Sequence, residues 1–494
     1  MIQVRDLTVS YGVDPILDNI SFDVNTGECL VITGSSGCGK STLAHVLTGL
    51  IPHSLPAQVT GSVQIAEMDA LASSVDTISQ KVGIVFQNPR SHLFHLRVED
   101  EVAFGPHNLG MTKDEVNARV SWALSAVGLA DFREQKPAHL SGGQIQRLAI
   151  AAALAMDPKV LVLDEPTASL DVPSTQNVIN TLESLKNKLG LTIVLIEHRL
   201  AEVRRLADHV LILHEGRIAA QGRFNDVLQN STTLKQYGLR RPTDEMLIDW
   251  PHLLEPNGHH PADQRPLLDL QNLSAGYEGH AIIHDVDLKI FAGEFVALVG
   301  DNGTGKSTLA LAAAGLLKPI HGNVIVNGTS RPRPGLDVAL LFQNPADQLF
   351  TDSVDEEVAF GPHNYRRFDS DIHEQTLTSA DLHQLRTRHP FTLSIGQQQR
   401  TALAACIALR PALVILDEPT LGQDWRHLQQ LMDCLLLLNG LGTAILLITH
   451  DYKLVHHYAK RVILMDKGRL ILDGKIAPAS KSQIHVEEFI HVAS

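Results

Sequence analysis

The sequence predicts an α/β fold that occurs twice in one chain, each copy a mainly parallel β-sheet flanked by helices. The first observation is an internal repeat, because three distinctive segments recur in the same order: 34–44 at 300–310, 101–108 at 357–364, and 161–167 at 414–420. The second is a set of short, continuous apolar runs between stretches of helical composition. Such runs are typical of strands buried on both faces, in parallel sheets covered by helices.

Composition narrows the class of protein. The chain has 494 residues, 44% hydrophobic and 19% charged, which suits two globular domains. Its net charge of −14 does not favour a nucleic-acid partner. The four cysteines form no CxxC pair, which indicates free thiols in a reducing compartment. Because we find no signal-peptide pattern and no apolar run of about 18 residues, we expect a cytosolic protein that does not itself cross a membrane.

The elements of each copy follow from apolar periodicity. Residues 2–12 alternate between apolar and polar, which predicts an antiparallel part of each copy. Residues 27–34 form a β-rich run before a glycine loop and an Ala/Leu-rich helix, and residues 160–166 and 191–198 predict further buried strands. In the second copy, residues 435–448 predict a helix end, a turn and a buried strand.

The repeat also sets the predicted domain boundaries. We expect a first domain at 1–237 and a second at 267–494. Residues 238–266 are rich in proline and polar residues, and predict a linker with one short helix.

A phosphate-binding pattern, GxxxxGK[ST], follows a predicted strand and opens a predicted helix in both copies. Its glycines let backbone N–H groups curl around phosphates, and the helix N-terminus adds positive potential. Lys40 and Lys306 are predicted to reach the β- and γ-phosphates, and Ser41 and Ser307 to ligate Mg²⁺. The predicted nucleotide-binding residues of these loops are Gly34, Ser35, Ser36, Gly37, Cys38, Gly39, Lys40, Ser41 and Thr42, then Gly300, Asp301, Asn302, Gly303, Thr304, Gly305, Lys306, Ser307 and Thr308.

Two carboxylates end a later apolar strand in each copy. Asp164 and Asp417 are predicted to hold Mg²⁺ through water, and Glu165 and Glu418 to polarise the attacking water, because phosphoryl transfer depends on positioning and charge. One further apolar strand in each copy ends in a histidine, His198 and His450. A lone histidine there would be structural, but matching positions in both copies favour a contact with the γ-phosphate.

Together these motifs resemble the ATP-binding cassette (ABC) family, over nearly the whole chain except the linker and the extreme C-terminus. The resemblance implies P-loop NTPase domains that bind ATP and Mg²⁺, each with an antiparallel β subdomain and a helical signature subdomain. It assigns Gln87 and Gln343 as Q-loop ligands of Mg²⁺, and Tyr11 and Tyr277 as stacking partners of adenine. The signature segments are 140–144 and 393–397, "LSGGQ" and "LSIGQ".

The resemblance also implies that the two cassettes pair head to tail within one chain. One ATP would then lie between Lys40 and its neighbours and the signature residues Ser394 and Gly396. The other would lie between Lys306 and its neighbours and Ser141 and Gly143. Ile395 stands where the first copy has Gly142, and the resemblance favours a tolerated substitution at this position.

The segment after each Q-loop, "FQNP" followed by "EVAFGPHN", resembles energy-coupling-factor importers of vitamins, vitamin precursors or transition-metal ions. That resemblance implies a transmembrane coupling subunit and a membrane-embedded substrate-binding subunit as partners, with this chain peripheral at the cytoplasmic face of the cell membrane. An alternative is that the octapeptide only shapes a packed helix start. The sequence does not identify the solute.

Other functions stay open at this point. One is a soluble two-cassette ATPase acting on ribosomes or nucleic acid, which the short linker and acidic composition disfavour. Another is the fused ATPase of a sugar-type importer, in which one half is typically degenerate. Repair ATPases with cysteine-rich zinc modules do not fit a chain with four scattered cysteines.

Overall fold

The chain divides into two units of similar build, Met1–Met246 and Leu247–Ser494. The structure is a computed structural model. It describes residues 1–476 except 13, 36, 92, 168–169, 171, 230–236, 238, 240–249, 257–263, 331, 420–424 and 450.

The first unit contains two sheets and several helices in the described residues. Its strands are β1 Ile2–Ser10, β2 Pro15–Val24, β3 Cys29–Gly34, β4 Gln58–Ile65, β5 Met68–Asp69, β6 Val82–Val85, β7 Val160–Asp164, β8 Thr192–Ile196, β9 His209–His214 and β10 Arg217–Arg223. Its helices are α1 Lys40–Leu47, α2 Leu50–His53, α3 Val75–Ser79, α4 Val98–Asn108, α5 Lys113–Ala126, α6 Gly142–Leu154, α7 Val172–Leu189, α8 Leu200–Val203 and α9 Phe224–Leu228. Short 3₁₀ turns lie at Pro89–Ser91, Ala130–Phe132 and Pro137–His139.

The larger sheet of this unit places the predicted motifs on one edge. Its strand order is β10-β9-β3-β8-β7-β6, and all neighbours are parallel except β9 and β10. Strands β3, β7 and β8 are buried along their whole length, as their continuous apolar composition predicts. Because parallel strands end at the same edge, the segments after β3, β6, β7 and β8 converge there.

The rest of the unit builds on this sheet. Strand β1 pairs antiparallel with β2 and β4, so the alternating segment 2–12 forms the predicted antiparallel part. Helices α4, α5 and α6 pack against the face of the larger sheet opposite to strand β1. Their core includes Val98, Val120 and Leu148. This is the helical subdomain that carries the signature.

The second unit repeats the plan. Its strands are β11 Leu254–Pro256, β12 Leu268–Tyr277, β13 His280–Ile290, β14 Phe295–Val299, β15 His321–Val326, β16 Val338–Leu341, β17 Leu413–Asp417, β18 Ala444–Ile448, β19 Arg461–Asp466 and β20 Arg469–Ile476. Its helices are α10 Trp250–Leu253, α11 Lys306–Ala313, α12 Val354–Asn364, α13 Ser370–Ser379, α14 Ile395–Ile407, α15 Trp425–Gly440 and α16 Tyr452–Tyr458. Its 3₁₀ turns are Pro345–Asp347, His383–Leu385 and Pro390–Thr392.

The sheets of the second unit have the orders β11-β20-β19-β14-β18-β17-β16 and β13-β12-β15. The segment 435–448 forms the end of α15, a turn and β18, as predicted. Within the predicted linker, α10 and β11 lie against this unit. Strand β11 pairs antiparallel with β20, and Trp250 packs in a core with Val455 and Val462.

In the part of the chain that the structure describes, no helix is long and apolar enough to span a membrane.

Candidate functional site

The phosphate loop of the first unit is shaped by glycines that cannot be replaced without a clash. Gly34 ends β3 with φ +149, and a Cβ there would lie 2.1 Å from the carbonyl oxygen of Leu213. Gly39 precedes α1 with φ +102, and its Cβ would lie 2.6 Å from Cδ2 of Leu17. These positions need the left-handed backbone that glycine favours. The loop therefore turns tightly into the N-terminus of α1.

Lys40 lies over this loop. Its side chain is buried at 6% exposure, and its ammonium donates to the carbonyl oxygens of Gly34 at 3.0 Å and Ser35 at 2.9 Å. A buried cation needs such acceptors. Lys40 is thus held at the mouth of the loop, where an anion would meet it.

The second unit reproduces this arrangement. A Cβ at Gly300 would lie 2.2 Å from the carbonyl oxygen of Met465, and Gly305 precedes α11 with φ +102. The Lys306 ammonium donates to the carbonyl oxygens of Gly300 at 2.7 Å and Asp301 at 2.8 Å. Both loops therefore have the cradle that phosphate needs.

A serine hydroxyl and a buried carboxyl meet beside each loop. Burial raises the pKa of Asp164, at the end of β7, while a hydrogen bond from Ser41 and the charge of Lys40 oppose that rise. In the second unit burial raises the pKa of Asp417 to about 6 against a hydrogen bond from Ser307. Each pair offers hydroxyl and carboxylate oxygens, the donor set that fits Mg²⁺. A bound cation would favour the ionised carboxylates.

Glu165 stands at the centre of the first unit's site. Its φ is +46, an uncommon conformation for a side-chain-bearing residue, and its N–H donates to the carbonyl of Ile196 at 3.0 Å. Its carboxylate lies 3.0 Å from Nε2 of His198 and accepts from Nε2 of Gln87 at 2.8 Å. The sheet therefore brings together three residues that are far apart in sequence.

The charge of Glu165 is stabilised by these neighbours. Burial acts to raise the pKa of this carboxyl, but the charge and hydrogen bond of His198, with the charges of Lys40 and Arg199, bring the pKa below its usual value. Glu165 is consequently an ionised carboxylate beside the phosphate loop.

Glu418 has the corresponding backbone in the second unit. Its φ is +49 and its N–H donates to the carbonyl of Ile448 at 2.9 Å. Its side chain is buried at 6% exposure, whereas Gln343 is exposed. His450 lies outside the described residues, as does Ser36 in the first phosphate loop.

The two signature segments start helices in the same way. Ser141 caps α6: its hydroxyl accepts from the N–H of Gln144 at 3.3 Å, and the Gln144 side chain accepts from the N–H of Ser141 at 2.8 Å. Ser394 and Gln397 form the same reciprocal capping box at α14. The glutamine's part was not predicted, although the S-x-x-Q pattern signals it.

The third signature position belongs to the first turn of the helix. In the first unit a Cβ at Gly142 would lie 3.3 Å from Cδ2 of Leu170, and one at Gly143 would lie 2.8 Å from Cβ of Ser174. In the second unit α14 begins at Ile395. Because the same capping box forms there, isoleucine does not prevent the helix start.

The two tyrosines predicted to stack on adenine are both half exposed. Tyr11 follows β1 and is 49% exposed, and Tyr277 ends β12 and is 48% exposed. Their matching positions leave about half of each tyrosine exposed to solvent.

Two functional features escaped the sequence reasoning. Glu101 and Glu357 open the repeated octapeptide, and both are buried and accept backbone hydrogen bonds from the preceding loop. Glu197 precedes His198 and is 1% exposed. For Glu197 the signal was a charged residue directly after the apolar run 191–196, whereas Glu101 and Glu357 each end a short acidic run and had no such signal.

Known proteins match this chain along nearly its whole length. A family described as ABC transporter matches residues 17–168 and again 283–421. A Methanosarcina mazei protein, named provisionally as an ABC transporter ATP-binding protein, is 36% identical and covers 99% of this chain and 90% of its own length. Bacillus subtilis YkoD is named provisionally as an HMP/thiamine import ATP-binding protein. It is 34% identical, and the match covers 97% of this chain and 92% of YkoD.

One solved structure, cbiO1 from Clostridium perfringens, is 32% identical and covers 49% of this chain and 95% of its own, with a TM-score of 0.44. Its title describes it as part of the ABC transporter complex cbiONQ.

Proposed function

The chain belongs to the ABC transporter family of ATP-binding proteins, and we propose that it energises an importer of the energy-coupling-factor type. The solute would be a vitamin, a vitamin precursor or a transition-metal ion. ATP hydrolysis coupled to transport follows from family membership. The observation that carries the importer proposal is a pair of exposed phenylalanines that follows the Q-loop along the chain, once in each unit.

In the proposed reaction, Lys40 and Lys306 bind the phosphates and Glu165 and Glu418 orient and polarise the attacking water. His198 lies beside the Glu165 carboxylate, where it can donate to the γ-phosphate. Ser41, Ser307, Gln87 and Gln343, with Asp164 and Asp417 through water, would hold Mg²⁺. When bound, Mg²⁺ neutralises charge on the phosphate oxygens. What this chain contributes is placement of charge around a fixed phosphate.

We further propose that the two cassettes act as one head-to-tail pair, so that each signature completes the other cassette's site. This proposal rests on the family resemblance. Its local support is that Ser141 and Ser394 each begin a helix, where the hydroxyl and the N-terminal N–H groups suit an anion.

The aromatic pair of the first unit follows the Q-loop. Phe94 and Phe104 contact edge to face with ring centroids 5.1 Å apart, yet they are 64% and 43% exposed. The Glu101 carboxylate accepts from the N–H groups of Phe94 at 3.0 Å and His95 at 2.9 Å, which fixes the loop that carries the first ring. An exposed, ordered aromatic pair is typical of an interaction surface.

The second unit has the same arrangement of an exposed aromatic pair and a buried glutamate. Phe350 and Phe360 meet edge to face at 4.7 Å and are 61% and 45% exposed. The Glu357 carboxylate accepts from the N–H groups of Phe350 at 3.0 Å and Thr351 at 2.9 Å. The octapeptide thus supplies both a buried anchor and an exposed ring, which supports its use as a docking segment as well as a helix start.

A membrane partner explains why two diverged units keep this surface. The partner would be a transmembrane coupling subunit that also associates with a membrane-embedded substrate-binding subunit. This chain would then be peripheral at the cytoplasmic face. The name of YkoD, an HMP/thiamine import ATP-binding protein, supports a vitamin-precursor solute within the proposed range.

The test is co-expression of the chain with the membrane proteins encoded beside its gene. Wild type should sediment with membranes and co-purify with a membrane protein in detergent. The double variant Phe104→Ala/Phe360→Ala should stay in the supernatant while still binding ATP. Leu189→Ala, which removes an exposed apolar side chain elsewhere, is the matched control. Sedimentation that both aromatic substitutions leave unchanged would contradict this docking surface.

The alternatives predict different partners. A ribosome or nucleic-acid ATPase should migrate with polysomes or bind RNA, against a net charge of −14. A sugar-type importer should have one degenerate half, yet both units keep the lysine, aspartate and glutamate of the site. Co-fractionation with polysomes in place of membranes would favour the first alternative.

A further inference from the structure

Glu197 is a buried carboxyl that bridges two motifs of the first unit. One of its oxygens accepts from the backbone N–H groups of His198 at 2.8 Å and Arg199 at 3.1 Å. The other accepts from the Thr167 hydroxyl at 2.5 Å. Thr167 lies two residues after Glu165, in the turn that follows strand β7. Glu197 therefore ties the backbone on one side of the Glu165–His198 contact to the backbone on the other.

We propose that Glu197 is a positioning residue for ATP hydrolysis in the first unit, which holds the His198 imidazole at hydrogen-bond distance from the Glu165 carboxylate. The proposal rests on the roles proposed above for these two residues. Without Glu197, the backbone N–H groups of His198 and Arg199 would lose their acceptor, and the histidine segment could shift. A displacement of about 1 Å near the reacting groups costs up to roughly a hundredfold in rate.

The buried position of the Glu197 carboxyl is unfavourable for a residue that only fills space. Burial raises the pKa of Glu197, and the charge of Glu202 adds to that rise, while the Thr167 hydroxyl opposes it. Holding a carboxyl in such a place is unfavourable unless its acceptors are used. All its described contacts go to the two motifs of the site.

The second unit uses a different residue at this point. Thr449 occupies the matching position, is fully buried, and its hydroxyl accepts from the N–H of Asp451 at 3.1 Å. A hydroxyl replaces the carboxyl as acceptor of a backbone N–H group at this point. The inference is consequently specific to the first unit.

The experiment uses the full chain and measures steady-state phosphate release with varied ATP. Glu165→Gln first defines how much turnover the first unit's glutamate supports. Glu197→Ala should lower the share of kcat that depends on Glu165 by about tenfold or more, so that its total loss of kcat is close to that of Glu165→Gln. KM should change less than about twofold. Glu197→Gln should retain at least about a third of that turnover, because its amide oxygen still accepts the two N–H groups. Glu134→Ala, at an exposed position, is the surface control.

Thr167→Val tests the same bridge from its other end. Combined with Glu197→Ala it should lower kcat no further than Glu197→Ala alone, because both remove one connection. Thermal unfolding and binding of a non-hydrolysable ATP analogue are measured alongside.

The outcomes are separable. If Glu165→Gln leaves turnover unchanged, the proposed roles at this site are wrong and the inference falls with them. If Glu165→Gln abolishes turnover but Glu197→Ala keeps wild-type kcat, only the inference is overturned. If Glu197→Ala and Glu197→Gln lose kcat, analogue binding and thermal stability together, Glu197 is a folding residue and the positioning role is wrong.

Discussion

At the residue scale, the Glu165 carboxylate contacts His198 on one side and Gln87 on the other, and its charge is favoured by both lysine and histidine. Its backbone conformation is strained for a residue with a side chain, and Glu418 shares it. The same conformation at matching positions shows that both units leave strands β7 and β17 by the same turn.

We predict that the double variant Glu165→Gln/Glu418→Gln binds ATP and hardly hydrolyses it. The amide keeps the shape of the side chain and loses the charge that polarises water, so phosphate release should fall by at least about a hundredfold. Equilibrium binding of labelled ATP should stay within about threefold of wild type. Hydrolysis at the wild-type rate in this variant would contradict the role of both glutamates.

Asp417 gives a prediction about pH. Its pKa in the fold, about 6, lies above the value of 3.8 for an unperturbed aspartate. A raised pKa in the folded state favours folding at low pH, and that stabilisation is lost as pH rises through 6. Without nucleotide and magnesium, Asp417→Asn should therefore be more stable than wild type at pH about 8, by up to about 3 kcal/mol.

The measurement for Asp417→Asn is urea unfolding at several pH values. The gain should shrink as pH falls below about 6 and vanish at pH about 3, below the unperturbed value of 3.8, where the wild-type carboxyl is protonated in both states. The control is Asp466→Asn, at an exposed position. A gain of equal size at every pH would show that the effect does not come from the charge.

At the element scale, the N-termini of α6 and α14 are set by reciprocal capping boxes between serine and glutamine. The capping box uses the serine and the glutamine but not the residue between Ser394 and Gly396, which is consistent with a third position that differs between the units. The first turn of α14 accommodates isoleucine without loss of the cap.

We predict that Ile395→Gly changes ATP turnover by less than about tenfold, equivalent to about 1.4 kcal/mol of barrier. Ser394→Ala should cost more, because it removes both the cap and the proposed phosphate donor. The loss of the cap alone should lower stability by about 1 kcal/mol, and Gln397→Ala separates this contribution. A hundredfold rise in turnover for Ile395→Gly would mean that isoleucine restrains the second signature.

At the scale of the whole molecule, the two units share one plan and differ in detail at their sites. Glu197 of the first unit corresponds in the repeat to Thr449 of the second, and Cys38 corresponds to Thr304. We infer that the two ATP sites do not have identical rates.

The head-to-tail proposal predicts which site a signature variant damages. Gly396→Asp should impair nucleotide trapping at the site of Lys40 and spare that of Lys306, because a carboxylate set against a phosphate in a poorly hydrated site is unfavourable. Trapping is measured in chains that keep only one of the two lysines. Damage confined to the Lys306 site would mean that the cassettes are not paired in this way.

The sequence by itself determined the duplication, the α/β class, the phosphate loops and the strand-end carboxylates. These depend on local patterns: apolar runs make buried strands, and glycine spacing makes a loop that a side chain would block. The predicted boundaries and the roles of the site residues stay predictions. The capping glutamines were within reach of the same reasoning, because a capping box is a four-residue pattern.

Only the tertiary structure decided which distant residues meet. The order β3-β8-β7-β6 places Gln87 and His198 on either side of Glu165, and no local pattern encodes that order. The same holds for Glu197 and Thr167, which follow the ends of the neighbouring strands β8 and β7. Pairing between strands far apart in sequence depends on the free energy of the whole core, so contacts across the sheet follow from the fold and not from any one segment.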